Sequence, residues 1–266
     1  MNIKIYTKMP VISYGLLCLK VSNKYHNQIH NILLNTNSIN IFDNICPKNK
    51  LNSFQYMKND IQFLIISKKI SYSFMTILTG LYDNNNIYSV KTIINNLTIS
   101  EIDMLKNNDF KELVHKYFAN NMTDERINNI FNKFLTIRDL LNEYDSNYNT
   151  PEWEIPKGKL SKNELMLNGA IREFLEETTI KRNDIYVYDN IEPIVEIFKG
   201  TDNKYYMYVY YISLLKENYE PNLSLSNEAS IIKFMNLNEC ITYLRPENKK
   251  RKKIIYCIYL YLIKSI

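Results

Sequence analysis

The run from Gly158 to Ile180, GKLSKNELMLNGAIREFLEETTI, constrains this chain more than any other stretch. On a helix, Glu173, Glu176 and Glu177 fall at i, i+3 and i+4, so their three carboxylates share one face. Leu167, Ala170, Ile171, Phe174 and Leu175 give the other face a core to bury. Three adjacent anions repel one another and weaken an isolated helix, which points to a cation that neutralises them. Oxygen-only ligands favour a hard ion such as Mg²⁺ or Mn²⁺. Arg172 stands four residues before Glu176 and can pair with it, orienting a carboxylate.

The offsets extend beyond the helix. Gly158, Glu164, Arg172, Glu173, Phe174, Glu176, Glu177 and Ile180 resemble the Nudix box, G-x5-E-x7-R-E-U-x-E-E-x-G-U, where U is a bulky apolar residue. Thr179 stands where the family has Gly, a residue that helps the chain leave the helix. The resemblance implies an α/β fold, an α/β/α sandwich with a mixed sheet, and hydrolysis of a nucleoside diphosphate linked to another group. It implies that Glu173, Glu176 and Glu177 hold divalent ions, Mg²⁺ or Mn²⁺, with the Gly158 carbonyl as an extra ligand. Arg172 and Glu164 would support the box from behind.

The residues before the box narrow the substrate. Trp153-Glu154-Ile155-Pro156-Lys157-Gly158-Lys159 resembles the W-x-[FI]-P-K-G-K of mRNA decapping enzymes, with Lys157 and Lys159 facing phosphates. Short P-K-G motifs also occur in Nudix enzymes for dinucleoside polyphosphates and diphosphoinositol polyphosphates, which keeps a small-molecule substrate as the alternative. A non-catalytic RNA-binding protein on the same scaffold would have lost a box carboxylate, and all three are present. The segment from Phe63 to Met75 (FLIISKKISYSFM) resembles the strand-then-helix entry of asfarvirus and poxvirus decapping proteins. That resemblance implies capped mRNA as partner, m7GDP and 5′-monophosphate RNA as products, and a place in the host-cell cytoplasm or in the virion. The Nudix resemblance also implies a distal carboxylate just before a late strand, and Glu228 is the candidate, as general base or additional metal ligand. Tyr14, Tyr72, Phe74 and Tyr205 are candidates to stack on the cap purine.

Charge is uneven along the chain. The formal net charge is +5, yet residues 1–70 carry nine Lys/Arg against two Asp/Glu, and residues 71–150 carry seven against ten. A second basic cluster is Lys249, Lys250, Arg251, Lys252 and Lys253. Both basic regions suit phosphate contacts with RNA. The four cysteines are scattered with no CxxC, and the three histidines follow no metal spacing, so neither a disulfide scaffold nor a zinc site is expected and a reducing cytosol fits. The N-terminal MNIKIYTKMP lacks a signal-peptide pattern. The longest apolar run, Ile254 to Ile263, falls short of the roughly 18 residues of a membrane span, so no membrane partner is expected.

Patterning predicts strands at Val11–Val21 and Ile61–Ser67, separated by an Asn-rich connection with a short helix near Asn27–Leu34. Helical spacing follows at Tyr72–Leu81 and Ser89–Leu97, then a capping-box pattern at Ser100–Asp103 places a helix start at Glu101. Thr123-Asp124-Glu125 opens another helix. A box helix over Glu164–Glu177 comes next. Strands near Ile191–Phe198, Tyr205–Leu214 and Ile231–Met235 precede a last helix from Glu247 to Ile263. The expected organisation is a Nudix domain built from 1–70 and 147–266, interrupted by an all-helical domain over 71–146.

Overall fold

The computed structural model describes residues 9–39, 59–118, 122–143, 146–200, 204–217 and 229–266. In chain order they begin with β1 (Val11–Val21), α1 (Asn23–Leu34) and β2 (Ile61–Lys68). Five helices follow: α2 (Tyr72–Thr79), α3 (Ile87–Asn95), α4 (Ile99–Asn107), α5 (Phe110–Phe118) and α6 (Asp124–Leu135). Then come β3 (Trp153–Glu154), β4 (Lys157–Gly158), α7 (Met166–Thr178), β5 (Ile185–Tyr188), β6 (Ile194–Lys199) and β7 (Tyr205–Leu215). The chain ends with β8 (Ala229–Met235), α8 (Leu237–Tyr243) and α9 (Lys249–Ser265). No helix among the described residues is long and apolar enough to cross a membrane.

The strands form one mixed sheet in the order β3-β2-β1-β7-β5, with β4 on β1, β6 on β7 and β8 on β2. Central β1 and β7 run parallel from Val11↔Tyr206 to Leu19↔Leu214. β2 and β4 pair with β1, and β5 and β6 pair with β7, all antiparallel. A strand buried on both faces needs apolar residues at successive positions, and VISYGLLCLKV supplies them. Leu17, Leu19 and Val21 enter one core, with Ile29 and Leu33 of α1 and Ile255, Ile258 and Leu262 of α9. Tyr14, Leu16 and Cys18 enter the other, with Ala170 and Phe174 of α7. Helices therefore cover both faces, giving the α/β/α sandwich.

A second compact unit comprises Lys68–Glu152 and Gly200–Lys204; its long span is mostly helical, with its own core that includes Phe74, Ile94, Val114, Phe134 and Leu141. Its seams fall at Ser67/Lys68 and Glu152/Trp153, rather than after 70 and after 146. Ser67 pairs with Trp153 across β2 and β3, so the chain leaves and re-enters the sheet at adjacent strands.

Helix starts differ from the sequence expectation where two capping patterns overlap. α4 begins at Ile99 because Thr98, not Ser100, is the cap: Thr98 Oγ1 accepts from the Glu101 amide at 3.2 Å and Glu101 Oε2 accepts from the Thr98 amide at 2.8 Å. Glu101 Oε1 also accepts from the Ser71 amide at 2.6 Å, so this buried carboxylate fixes two chain entries. α3 starts before Ser89 because Asn86 Oδ1 accepts from the Ser89 amide. α7 starts at Met166, after Glu164, whose carboxylate is engaged elsewhere. β5 and the two-residue β3 and β4 have no counterpart in the expected elements.

Candidate active site

The site is assembled where β4 crosses β1 and lies under α7. A Cβ on Gly15 would fall 2.0 Å from the Pro156 carbonyl oxygen, so only glycine lets β4 approach this closely. Gly158 pairs with Tyr14, and a Cβ there would fall 1.9 Å from Glu173 Oε2. The space that glycine leaves open is the space the Glu173 carboxylate occupies. α7 itself is held by Ala170 and Phe174, both fully buried against the sheet. It ends in Thr179, which adopts φ 61° in the left-handed region, with its amide donating to the Leu175 carbonyl at 3.1 Å.

Arg172 ties the helix to the loop before it. Its Nε and Nη2 donate to the two oxygens of Glu164 at 2.9 and 3.0 Å, a bidentate fork. Nη2 also donates to the Lys159 carbonyl at 2.9 Å. Nη1 donates to Glu173 Oε1 at 2.8 Å and to Glu176 Oε2 at 3.0 Å. The hydrogen bonds to Glu164 and Glu173 raise the guanidinium pKa, so it is always charged. Hydrogen bonds from Arg172, and secondarily from the Ser161 amide, hold the Glu164 carboxyl below its usual range. Glu177 is buried, and its Oε2 accepts from the Lys157 amide at 2.7 Å.

Glu173, Glu176 and Glu177 thus lie on one helix face as their spacing demands. Among the described residues, no three acidic, imidazole or thiol groups converge at metal-ligand spacing: Arg172 holds Glu173 and Glu176, and the Lys157 amide holds Glu177. The donor set nevertheless fits a hard divalent cation. It is all oxygen, it lies on one face, and Gly158 leaves its carboxylate neighbour the room a side chain would take.

Other expected site residues land in different surroundings. Lys157, expected to face phosphates, is 3% exposed and ion-paired to Glu154 Oε2 at 2.5 Å, with its ammonium 4.5 Å from the Tyr208 ring centroid. Its neighbour Lys159 is exposed. Arg251, expected with its lysine neighbours on a basic surface, is 4% exposed; its Nε donates to Glu196 Oε2 at 3.2 Å. The helical repeat of α9 turns this position to the sheet while Lys249, Lys250 and Lys253 stay outside and Lys252 is half-buried. Lys250 donates to the Ile197 carbonyl. Tyr14 and Phe74 are core residues, so neither presents a face to a base; Tyr72 is exposed and Tyr205 half-buried. Glu228, the candidate base, lies outside the described residues.

Sequence reasoning missed Glu154 and Glu196. With Lys157, Arg251, Tyr208 and Tyr210 they form a buried polar cluster on the α9 side of the sheet. Tyr210 Oη donates to Glu196 Oε2 at 3.3 Å, and burial pushes the Tyr210 phenol well above its ordinary pKa. The alternation in β6 carried a signal: Glu196 falls between inward-facing Ile194 and Phe198.

The chain matches the NUDIX domain over residues 129–257. It is 27% identical over 249 residues to a putative mRNA-decapping protein of Acanthamoeba polyphaga mimivirus, covering 80% of this chain and 69% of that one. It is 30% identical over 180 residues to the mRNA-decapping protein g5R of African swine fever virus (isolate Pig/Kenya/KEN-50/1950), covering 63% of this chain and 72% of that one. Among solved structures, a C. elegans Ap4A hydrolase binary complex aligns at TM-score 0.45 and 11% identity, covering 96% and 98% of the two chains. By its similarity to the swine fever virus protein and its domain match, this chain belongs to the Nudix family.

Proposed function

We propose that the protein removes the 5′ cap of mRNA, hydrolysing the cap pyrophosphate to m7GDP and 5′-monophosphate RNA. The observation that carries this reading is the Arg172 fork, which draws Glu164, Glu173, Glu176 and the Lys159 carbonyl together beside Gly158. Its support in the sequence is similarity to two viral mRNA-decapping proteins.

Glu173, Glu176 and Glu177, with the Gly158 carbonyl, would hold Mg²⁺ or Mn²⁺. When bound, such an ion supplies Lewis acidity and neutralises charge on the pyrophosphate. Arg172 keeps Glu173 and Glu176 on one face, and Glu164 keeps Arg172 from swinging away. The Lys157 amide aims the buried Glu177. Lys159, exposed beside the box, contacts phosphate, and Glu228 serves as general base. The surface lysines Lys249, Lys250 and Lys253 contact the RNA backbone. The site of action is the cytoplasm of an infected cell, where capped transcripts are turned over.

The test is product identity. Cap-labelled RNA, a cap dinucleotide and an inositol pyrophosphate are incubated in parallel with the protein and Mg²⁺ or Mn²⁺. Release of m7GDP from the RNA is expected. Cleavage of the inositol pyrophosphate with no m7GDP would replace decapping by small-pyrophosphate hydrolysis.

A further inference from the structure

A depression of about 330 Å³ lies in the sheet unit away from the box, between α1, β5 and the chain leaving β7. That volume is near the lower end of ligand pockets, which begin at roughly 300 Å³. Its floor is aromatic. Tyr186 of β5 packs against His30 of α1 with ring centroids 4.3 Å apart, and the Lys216 ammonium lies 5.4 Å from the Tyr186 centroid. Arg182 lines the same depression, and its Nη1 donates to the Ile185 carbonyl at 3.1 Å, which fixes the guanidinium. Among the described residues, neither Arg182 nor Lys216 forms an ion pair.

The histidine is oriented too. His30 Nδ1 and Tyr188 Oη are 2.6 Å apart. Burial raises the Tyr188 phenol pKa, so the phenol keeps its proton and donates it to Nδ1. Burial, with neighbouring His26, lowers the His30 pKa, and a ring that accepts at Nδ1 has Nε2 left to donate. The donors of the lining include His30, the Arg182 guanidinium and the Lys216 ammonium. Its one carboxylate is Asp189. Two cations without an ion-pair partner suit a phosphate, and the Asp189 carboxylate suits a ribose hydroxyl.

Position along the sheet gives this pocket a use. β4 meets β1 at Tyr14 and Gly15, which pair with Val209 and Tyr210 of β7. Lys216 follows the other end of β7. Six residues of strand at ~3.3 Å each put the two places about 20 Å apart. The box helix α7 packs on one face of the sheet and α1 on the other, so a ligand held at both places must pass round the β5 edge, which a nucleic-acid chain can do and a small pyrophosphate cannot.

We propose that this depression is a nucleotide-phosphate site that holds one nucleotide of the RNA body, its phosphate between Arg182 and Lys216. The inference rests on RNA being the substrate, yet it is tested without catalysis. The probe is a fluorescent, uncapped, single-stranded RNA titrated in EDTA over a series of KCl concentrations. Wild type is compared with Lys216→Gln and with Arg182→Gln/Lys216→Gln. The pocket holds one phosphate, so losing both cations should flatten the slope of log K against log[salt] by about 0.7 in the double variant, with a smaller flattening in Lys216→Gln. Lys216→Gln leaves the Arg182 anchor in place and guards against misfolding of the double variant. Decapping of a cap dinucleotide should be unchanged in both. Salt slopes equal to wild type would overturn the proposal. So would loss of free GMP binding in the variants with the RNA slopes unmoved, which would make the pocket one for free nucleotides. Altered RNA slopes in a protein that releases no m7GDP would keep this site and sink decapping.

Discussion

Thr179 brings the box's one departure from the family pattern into the structure, at φ 61°. A β-branched residue there carries a steric cost of roughly 1–2 kcal/mol, part of which glycine would return as unfolded-chain entropy. Thr179→Gly is expected to stabilise by up to about 1 kcal/mol, raising Tm by about 2 °C, with turnover unaltered; a differential melt checks it. Glu164 gives a pH prediction. Its pKa is depressed by Arg172, so its stabilising contribution is present above the ordinary value of 4.5 and is lost as pH falls through the lower folded value. Acid titration of stability should therefore be shallower below pH 4.5 in Glu164→Gln than in wild type. That Glu173, Glu176 and Glu177 share a face was legible because helical spacing alone puts their carboxylates there. The burial of Lys157 and Arg251 was not, because a basic run does not say which of its members the helix or strand turns inward. Both sit in buried pairs, where loss of one partner is more costly than the pair is stabilising.

Among elements, the box helix was legible from its apolar face and the long strands from their composition. The two-residue β3 and β4 were not. They exist through pairing with β1 and β2, whose paired residues lie 86 to 144 positions away, and carry no pattern of their own. Yet β4 sets the site, since its amide aims Glu177 and its glycine admits Glu173. Gly158→Ala should displace the Glu173 carboxylate and lower kcat by about 100-fold, the scale of losing one positioned group at a reacting centre, while Tm falls only slightly. An unchanged kcat would mean that Glu173 finds the same position by another rotamer.

The whole molecule is a sheet unit with a helical unit spliced between β2 and β3. The helical unit's separate core, and the adjacency of Ser67 and Trp153, suggest independent folding. Expressed alone, residues 68–152 should give a helical circular dichroism spectrum and a cooperative melt; a non-cooperative, coil-like spectrum would show that the unit depends on the sheet. The sequence periodicity changes from strand to helix near residue 70, close to where the sheet unit gives way to the helical unit at Lys68. The pairing of β1 with β7 did not show, because parallel neighbours separated by most of the chain leave no local signal.

The central claim is that the box carboxylates act on the cap of an RNA chain. Its most direct test follows m7GDP release from cap-labelled RNA by wild type and by Glu176→Gln/Glu177→Gln, each titrated with Mg²⁺ and with Mn²⁺. The account predicts m7GDP from wild type only when divalent ion is added, and loss of that release by at least about 100-fold in the double variant at every metal concentration. Equal m7GDP release by the folded double variant would contradict it.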